Sequence, residues 1–207
     1  MKHFYAVFGL VCISIFSLYS FADVHKGESD SVKEAVFAGG CFWCMEPPFD
    51  KLDGVLSTDS GYIGGKAENA DYKKISAGKT KHVEALRVRY DAAKIGYQQL
   101  LNVFWRNVDP FDQRGQFCDK GAQYKSYIYY GDEQEKGLAE ASLGKVVETF
   151  DRAVATKVQA ASAFYPAETY HQNYYLKNPI RYKFYRARCG RDDRLKALWG
   201  KESLFLP

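Results

Sequence analysis

The apolar positions fall into short alternating runs and longer stretches of helical period, and the two kinds alternate along the chain. Residues 32–38 read as a strand closed by Gly39-Gly40. A helix is expected to open near Cys41 and run past Phe49 and Leu52, with Pro47 and Pro48 better suited to its first turn than to its interior. Residues 55–62 form a second strand, 66–80 a polar loop and 82–90 a third strand. Leu100, Leu101, Phe104, Trp105 and Val108 share one face of a helix over 97–108. An irregular loop over 109–122 leads to a Tyr-rich strand at 124–130, a helix at 132–149, a strand at 153–158 and a helix at 167–176. After Pro179 a basic, irregular tail is expected, solvated around Cys189, with a short helix at 194–198. Strands interleaved with helices, without repeats or a linker, point to a single α/β or α+β domain.

The start of the chain has a different pattern. Residues 1–22 carry Lys2 and His3, then an uncharged apolar run, then Ser20-Phe21-Ala22 with small residues at the −3 and −1 positions of a cut before Asp23. That is the layout of a secretory signal peptide, and the run is short for a membrane span. The expected protein is 23–207, exported to the periplasm or secreted, and not held in a membrane after cleavage. Composition adds little: 207 residues, 46% hydrophobic and 26% charged, are globular proportions. A net charge of +4 from 29 basic and 25 acidic residues argues against a nucleic-acid partner. Cys12 leaves with the signal, so Cys41, Cys44, Cys118 and Cys189 remain, too few to be the scaffold of such a chain.

The chemistry centres on Gly39-Gly40-Cys41-Phe42-Trp43-Cys44. Cys41 follows a strand and opens a helix, where free N–H groups favour a thiolate. A C-x-x-C there suits redox chemistry, although two structural disulfides, half a zinc site or a merely buried Cys44 also fit. Phe42 and Trp43, beside a helix start, read first as core residues, with an aromatic pocket for a thioether-like group as the sharper alternative. On the third strand, alternation puts Glu84 on the face of Leu86, Val88 and Tyr90, and Arg87 and Arg89 on the face of Val83 and Ala85. A carboxyl on the apolar face has a raised pKa and can serve as a general acid; at a frayed strand end it would simply meet water. Asp119, Tyr124 and His171 have no distinctive signal by themselves.

Together the motifs resemble the A-type peptide methionine sulfoxide reductases over about residues 36–190. The likeness rests on GGCFWCMEPPF (39–49), SGYIGG (60–65), His82-x-Glu84, FWRNVDP (104–110), GAQYKS (121–126), AETYHQNY (167–174) and KNP (177–179). The resemblance implies a two-layer sandwich with a mixed sheet of ferredoxin-like topology. It implies thiol-dependent reduction of methionine S-sulfoxide, free and in proteins, as repair of oxidative damage. In it Cys41 is the nucleophile, Phe42 and Trp43 wall the sulfoxide methyl, and Glu84 is the acid at the sulfoxide oxygen. Tyr72 and Tyr124 match donors to that oxygen, and Asp119 matches a pocket carboxylate. The Cys41 sulfenic acid is resolved by a second thiol, Cys189 first and Cys44 second, and a thioredoxin-like dithiol restores the enzyme. No metal or organic cofactor is implied, and a monomer is expected. Lys81, Val108 and the DPFDQRGQFCD loop depart from the commoner family pattern. The rival activity is general thiol–disulfide exchange through Cys41 and Cys44, but Trp43 lies between the cysteines rather than before the first.

Overall fold

The structure is a computed structural model that describes Met1 and residues 31–200. The chain divides into two units, Met1–Asp30 and Ser31–Pro207, and the elements described below lie in the second. The segment 1–22 expected to be a signal peptide lies, Met1 apart, outside the described residues. Among the described residues no helix is long and apolar enough to cross a membrane.

Strand β1 (Val32–Gly39) leads into helix α1 (Phe42–Asp50), then strands β2 (Val55–Ile63) and β3 (Val83–Asp91) with the short helix α2 (Tyr72–Ser76) between them. Helix α3 (Tyr97–Arg106) follows, then a two-stranded ribbon, β4 (Gly115–Gln116) with β5 (Asp119–Lys120). Strand β6 (Ser126–Tyr130), helix α4 (Glu133–Phe150) and strands β7 (Lys157–Ala160) and β8 (Tyr165–Pro166) come next. Helices α5 (Tyr174–Lys177), α6 (Pro179–Arg188) and α7 (Arg191–Trp199) complete the described residues.

The main sheet runs β7-β6-β1-β3-β2-β8. All its pairs are antiparallel except β6 with β7, so the sheet is mixed. Its inner four strands, β6-β1-β3-β2, have the ferredoxin-like order that the resemblance implied. Phe37 lies opposite Leu86, and Ala35 opposite Val88. That face buries Phe37, Leu86, Val88 and Ile128 against Met45 and Phe49 of α1, Leu100 and Phe104 of α3, Ala139 of α4 and Trp199 of α7. Glu84, two residues before Leu86, points to the same helical layer.

Three local expectations need correction. Pro47 and Pro48 lie inside α1 rather than in its first turn. A proline at 48 cannot donate to the carbonyl of Cys44, and Arg186 approaches that oxygen instead, Nη1 at 3.5 Å. Residues 167–173 are irregular chain and turns rather than helix, which begins only at Tyr174, because their side chains bond inward: the Gln172 amide pairs with both backbone groups of Ser60, at 2.9 and 2.8 Å. The tail is not irregular. Pro179 begins α6, Gly190 at φ 62° turns the chain, and α7 follows. Its basic run is not wholly solvated either, for Arg191 is 1% exposed and donates to Gly39 O (3.1 Å) and Asn107 O (2.6 Å). In α6 the apolar Ile180 and Phe184 are exposed and Tyr182 is buried, so its apolar positions do not trace one buried face in the sequence.

Candidate active site

The turn from β1 to α1 sets the nucleophile. Gly40 has φ +80°, and a Cβ there would stand 2.5 Å from Cβ of Gln116, so only glycine fits. Cys41 is the N-cap residue of α1, and its carbonyl accepts the Cys44 amide at 3.0 Å. Both thiols are free and buried, Cys41 at 5% exposure and Cys44 at 2%. From β3, Glu84 meets the same turn: Oε2 accepts the backbone N–H of Phe42 at 3.2 Å. The carboxyl is 2% exposed. Burial raises its pKa to about 8 against the pull of the Phe42 amide, with Asp119 and Cys44 adding to the rise. At neutral pH Glu84 is therefore mostly a protonated acid, one residue from the sulfur.

The charge of the two thiols is the reverse of the sequence expectation. Cys41 does cap a helix, yet its pKa is raised, first by burial and then by Cys44, Glu84 and Asp119. Cys44 is lowered to about 7 by a hydrogen bond from Cys41, helped by the Arg191 and Arg186 guanidiniums and opposed by burial. Burial thus disfavours a thiolate at Cys41, while the two guanidiniums favour charge at Cys44. Helix-end stabilisation amounts to about a kcal/mol or two, less than the effect of complete burial.

Aromatic rings close the site. The Phe42 ring is 1% exposed and packs on Tyr62 and His171, with centroids 6.0 and 4.9 Å away. Trp43 stacks on Tyr174 at 3.7 Å and 7°, meets the edge of Tyr185 at 5.9 Å, and donates Nε1–H to His171 Nδ1 at 3.0 Å. Tyr72, at the start of α2, lies 4.3 Å from His171 between ring centroids. The hydroxyls of Tyr72 and Tyr124 are raised, mainly by burial and next by the charge of Glu84, with Cys41 and Asp119 contributing at both. Asp119 accepts the Tyr185 hydroxyl at 2.5 Å. Every residue that the sequence reading singled out in the pocket thus converges near Cys41 from separate parts of the chain. A groove of about 460 Å³, lined by Trp43, Tyr72, His171, Tyr174 and Tyr185 among others, opens beside them. Cys41 clusters with Trp43, Tyr174 and Tyr185 and so lies behind the groove's wall. Another cavity of about 460 Å³, near Trp105, Ser142 and Trp199, has no cysteine in its lining.

Several contributors were missed. Glu168 accepts the Tyr62 hydroxyl at 2.7 Å and the Tyr72 amide at 3.0 Å, tying α2 to the site. His171 is buried, and burial lowers its pKa to about 4, so the neutral ring accepts from Trp43. Tyr185 reaches both Asp119 and Cys41. The spacing of Tyr182 and Tyr185, three apart on one helix face, was the available signal. Cys118 is bonded to Cys189, with the Cα atoms 4.9 Å apart, a pairing that the sequence did not indicate.

Comparison with known proteins agrees with this geometry. The family model for peptide methionine sulfoxide reductase matches residues 33–203. The chain is 43% identical over 170 residues to a peptide methionine sulfoxide reductase MsrA of Bacillus licheniformis, covering 81% of this chain and 94% of the relative. It is 38% identical over 212 residues to a peptide methionine sulfoxide reductase MsrA/MsrB of Vibrio cholerae, covering 98% of this chain and 56% of that protein. Among solved structures, Mxr1 of Saccharomyces cerevisiae in reduced form aligns with a TM-score of 0.69 and 31% identity, over 73% of this chain and 88% of that one. Methionine sulfoxide reductase A of Corynebacterium diphtheriae aligns with a TM-score of 0.65 and 27% identity, over 72% and 76% of the two chains. A cysteine beside a buried acid in an aromatic enclosure, on a fold shared with these enzymes, places the chain in the peptide methionine sulfoxide reductase family, as an oxidoreductase that reduces methionine sulfoxide.

Proposed function

We propose that the enzyme reduces the S epimer of methionine sulfoxide, free and in proteins, with Cys41 as nucleophile and Glu84 as acid. The observation that carries this reading is the buried Glu84 carboxyl bonded to the amide next to Cys41. Cys41 attacks the sulfoxide sulfur while its proton passes to Cys44, which is close to a thiolate at neutral pH. Glu84 protonates the oxygen, with Tyr72 and Tyr124 as further donors. The hydroxyl then passes from the substrate sulfur to Cys41 Sγ, the substrate S–O bond and the bond that Cys41 had formed to that sulfur both break, methionine leaves as the thioether, and Cys41 is left as a sulfenic acid. Phe42 and Trp43 hold the methyl group against their rings. Asp119 acts through Tyr185, fixing its hydroxyl near Cys41.

A second thiol then condenses with the sulfenic acid and water leaves. Cys44 is the reading favoured here, because it is hydrogen-bonded to Cys41 while Cys189 is already joined to Cys118. A thioredoxin-like dithiol restores the enzyme. The reading takes the enzyme as a monomer, which its mass in solution tests. Export through the 1–22 segment accords with the Cys118–Cys189 disulfide, which suits an oxidising compartment. An exported chain whose mass begins at Asp23 is the expected product; a retained segment removes that part of the proposal.

The direct test is an epimer-resolved assay on a methionine sulfoxide peptide with a dithiol reductant. Turnover of the S epimer that disappears in Cys41→Ser is the expected result. Consumption of the R epimer alone, or an active Cys41→Ser enzyme, overturns the assignment.

A further inference from the structure

The enclosure around Cys41 has room only for the end of a side chain, since Cys41, Phe42 and Glu84 are all buried. The main chain of a polypeptide substrate therefore stays outside. The groove beside the pocket is the place for it, because Trp43 and Tyr72 of the pocket also line that groove. One side of the groove is α6. Arg181, Phe184, Tyr185 and Arg188 follow one another at intervals of three and four residues and so share a face of that helix. The opposite side carries Tyr170 and His171. Phe184 and Tyr170 hold large rings in solvent, at 67% and 57% exposure, and Ile180, one turn before Phe184, is more exposed still. Such rings are ordinary when scattered singly, but here they gather at the mouth of a reactive site.

The charge on this side has one sign. Helix α6 reads PIRYKFYRAR, with four basic residues and no acidic one. Arg186 is paired with Asp192, its Nε 2.9 Å from Oδ1. Arg181 and Arg188 are exposed, and neither has a hydrogen-bond or ion-pair partner among the described residues. Seven residues of helix set them about 10.5 Å apart along the axis. That is the length of about three residues of extended chain. Two unpaired cations with exposed rings between and opposite them complement a strand of peptide that carries carboxylates and an apolar side chain.

We propose that this face of α6 selects the sequence around the oxidised residue. The groove takes an extended, acidic stretch of polypeptide, whose carboxylates meet Arg181 and Arg188 and whose apolar side chains lie on Phe184 and Tyr170. The inference rests on the preceding reading that methionine sulfoxide in proteins reacts at Cys41, and adds which polypeptides present it best. The occupant is the substrate rather than a reducing protein, because the groove is continuous with the pocket through Trp43 and Tyr72. A methionine sulfoxide whose methyl lies in that pocket has its own backbone in the groove. Exposed ion pairs act on binding and are screened by salt, so the selectivity belongs in KM rather than in kcat.

Three unstructured peptides test the face, each with one methionine S-sulfoxide and with Glu, Gln or Lys at the two positions on either side. They are reduced by the unaltered enzyme with a small dithiol, so that no reducing protein competes. kcat/KM should fall in the order Glu, Gln, Lys, by about twofold to fivefold at each step. The difference should lie in KM and shrink toward equality in about 1 M salt. In the chain carrying both Arg181→Glu and Arg188→Glu the order should invert. Equal values for the three peptides, a preference indifferent to salt, or an order that the double substitution leaves in place overturns the inference; the proposed reaction stands, since the peptides are still reduced. Enzyme that reduces neither the peptides nor free methionine S-sulfoxide defeats that reaction, and the inference with it. A double substitution that raises KM only for a reducing protein, with the peptide ratios unchanged, assigns the face to the reductant and also overturns the proposal.

Discussion

At the scale of single residues, the site depends on how burial divides protons among three groups. Glu84 keeps its proton up to about pH 8, Cys44 loses its proton near 7, and Cys41 holds on above either. Glu84 acts only while protonated, so its contribution to the rate is full well below pH 8 and falls as pH rises through that value. A descending limb near pH 8 in kcat/KM for the S-sulfoxide is therefore expected. In Glu84→Gln the side chain keeps its shape but has no acidic proton, and kcat should fall by roughly 10²-fold or more. The limb should vanish with it; a limb that persists in this variant would assign it to another group. The legible part here was the face on which Glu84 lies, because strand alternation is a local rule. The division of charge between Cys41 and Cys44 was not legible, because the carboxyls and guanidiniums that set it come from β3, the ribbon, α6 and α7.

At the scale of elements, the C-terminal helices complete what the sheet and α1 begin. Arg191 opens α7 and is held by Gly39 O, Asn107 O and Met45 Sδ, with its guanidinium 4.4 Å over the Phe117 ring. It thereby joins α7 to the residue that ends β1, two before the nucleophile. Replacing it by Met leaves two buried carbonyls without this donor and removes a positive charge near Cys44. Arg191→Met should lose roughly 2–3 kcal/mol of stability in a denaturant titration. The pH dependence of Cys44 alkylation in the partly opened protein should move upward. Unchanged stability would mean that α7 docks through Leu195 and Trp199 alone. The turns at 167–173 follow the same logic: Glu168, His171 and Gln172 each bond to a distant element, and those bonds outweigh the helical tendency read from the segment itself.

At the scale of the whole molecule, the two most deeply buried acids among the described residues, Glu46 and Glu84, make stability depend on pH. Glu46 is fully buried, with Oε2 unpartnered, and burial raises its pKa to about 7; Glu84 titrates near 8. Both start from an ordinary value of 4.5. Below 4.5 folded and unfolded chains are both protonated, and the contribution is intact. As pH rises the unfolded chain ionises first, so stability declines across the window from 4.5 to about 8, then levels once the folded groups ionise. The melting temperature should fall from pH 5 to pH 8, and Glu46→Gln should flatten that fall. An equal slope in the variant would refute the attribution. By itself the sequence determined the interleaved elements, the strand face of Glu84 and the motif around Cys41, because periodicity, glycine geometry and motif spacing act over a few residues. Only the tertiary structure decided which thiol is favoured to carry charge, that Cys118 joins Cys189, that Tyr185 reaches the nucleophile, and that Arg191 docks on the end of β1. Those outcomes are set by burial and by contacts between residues scores of positions apart, to which local pattern is blind.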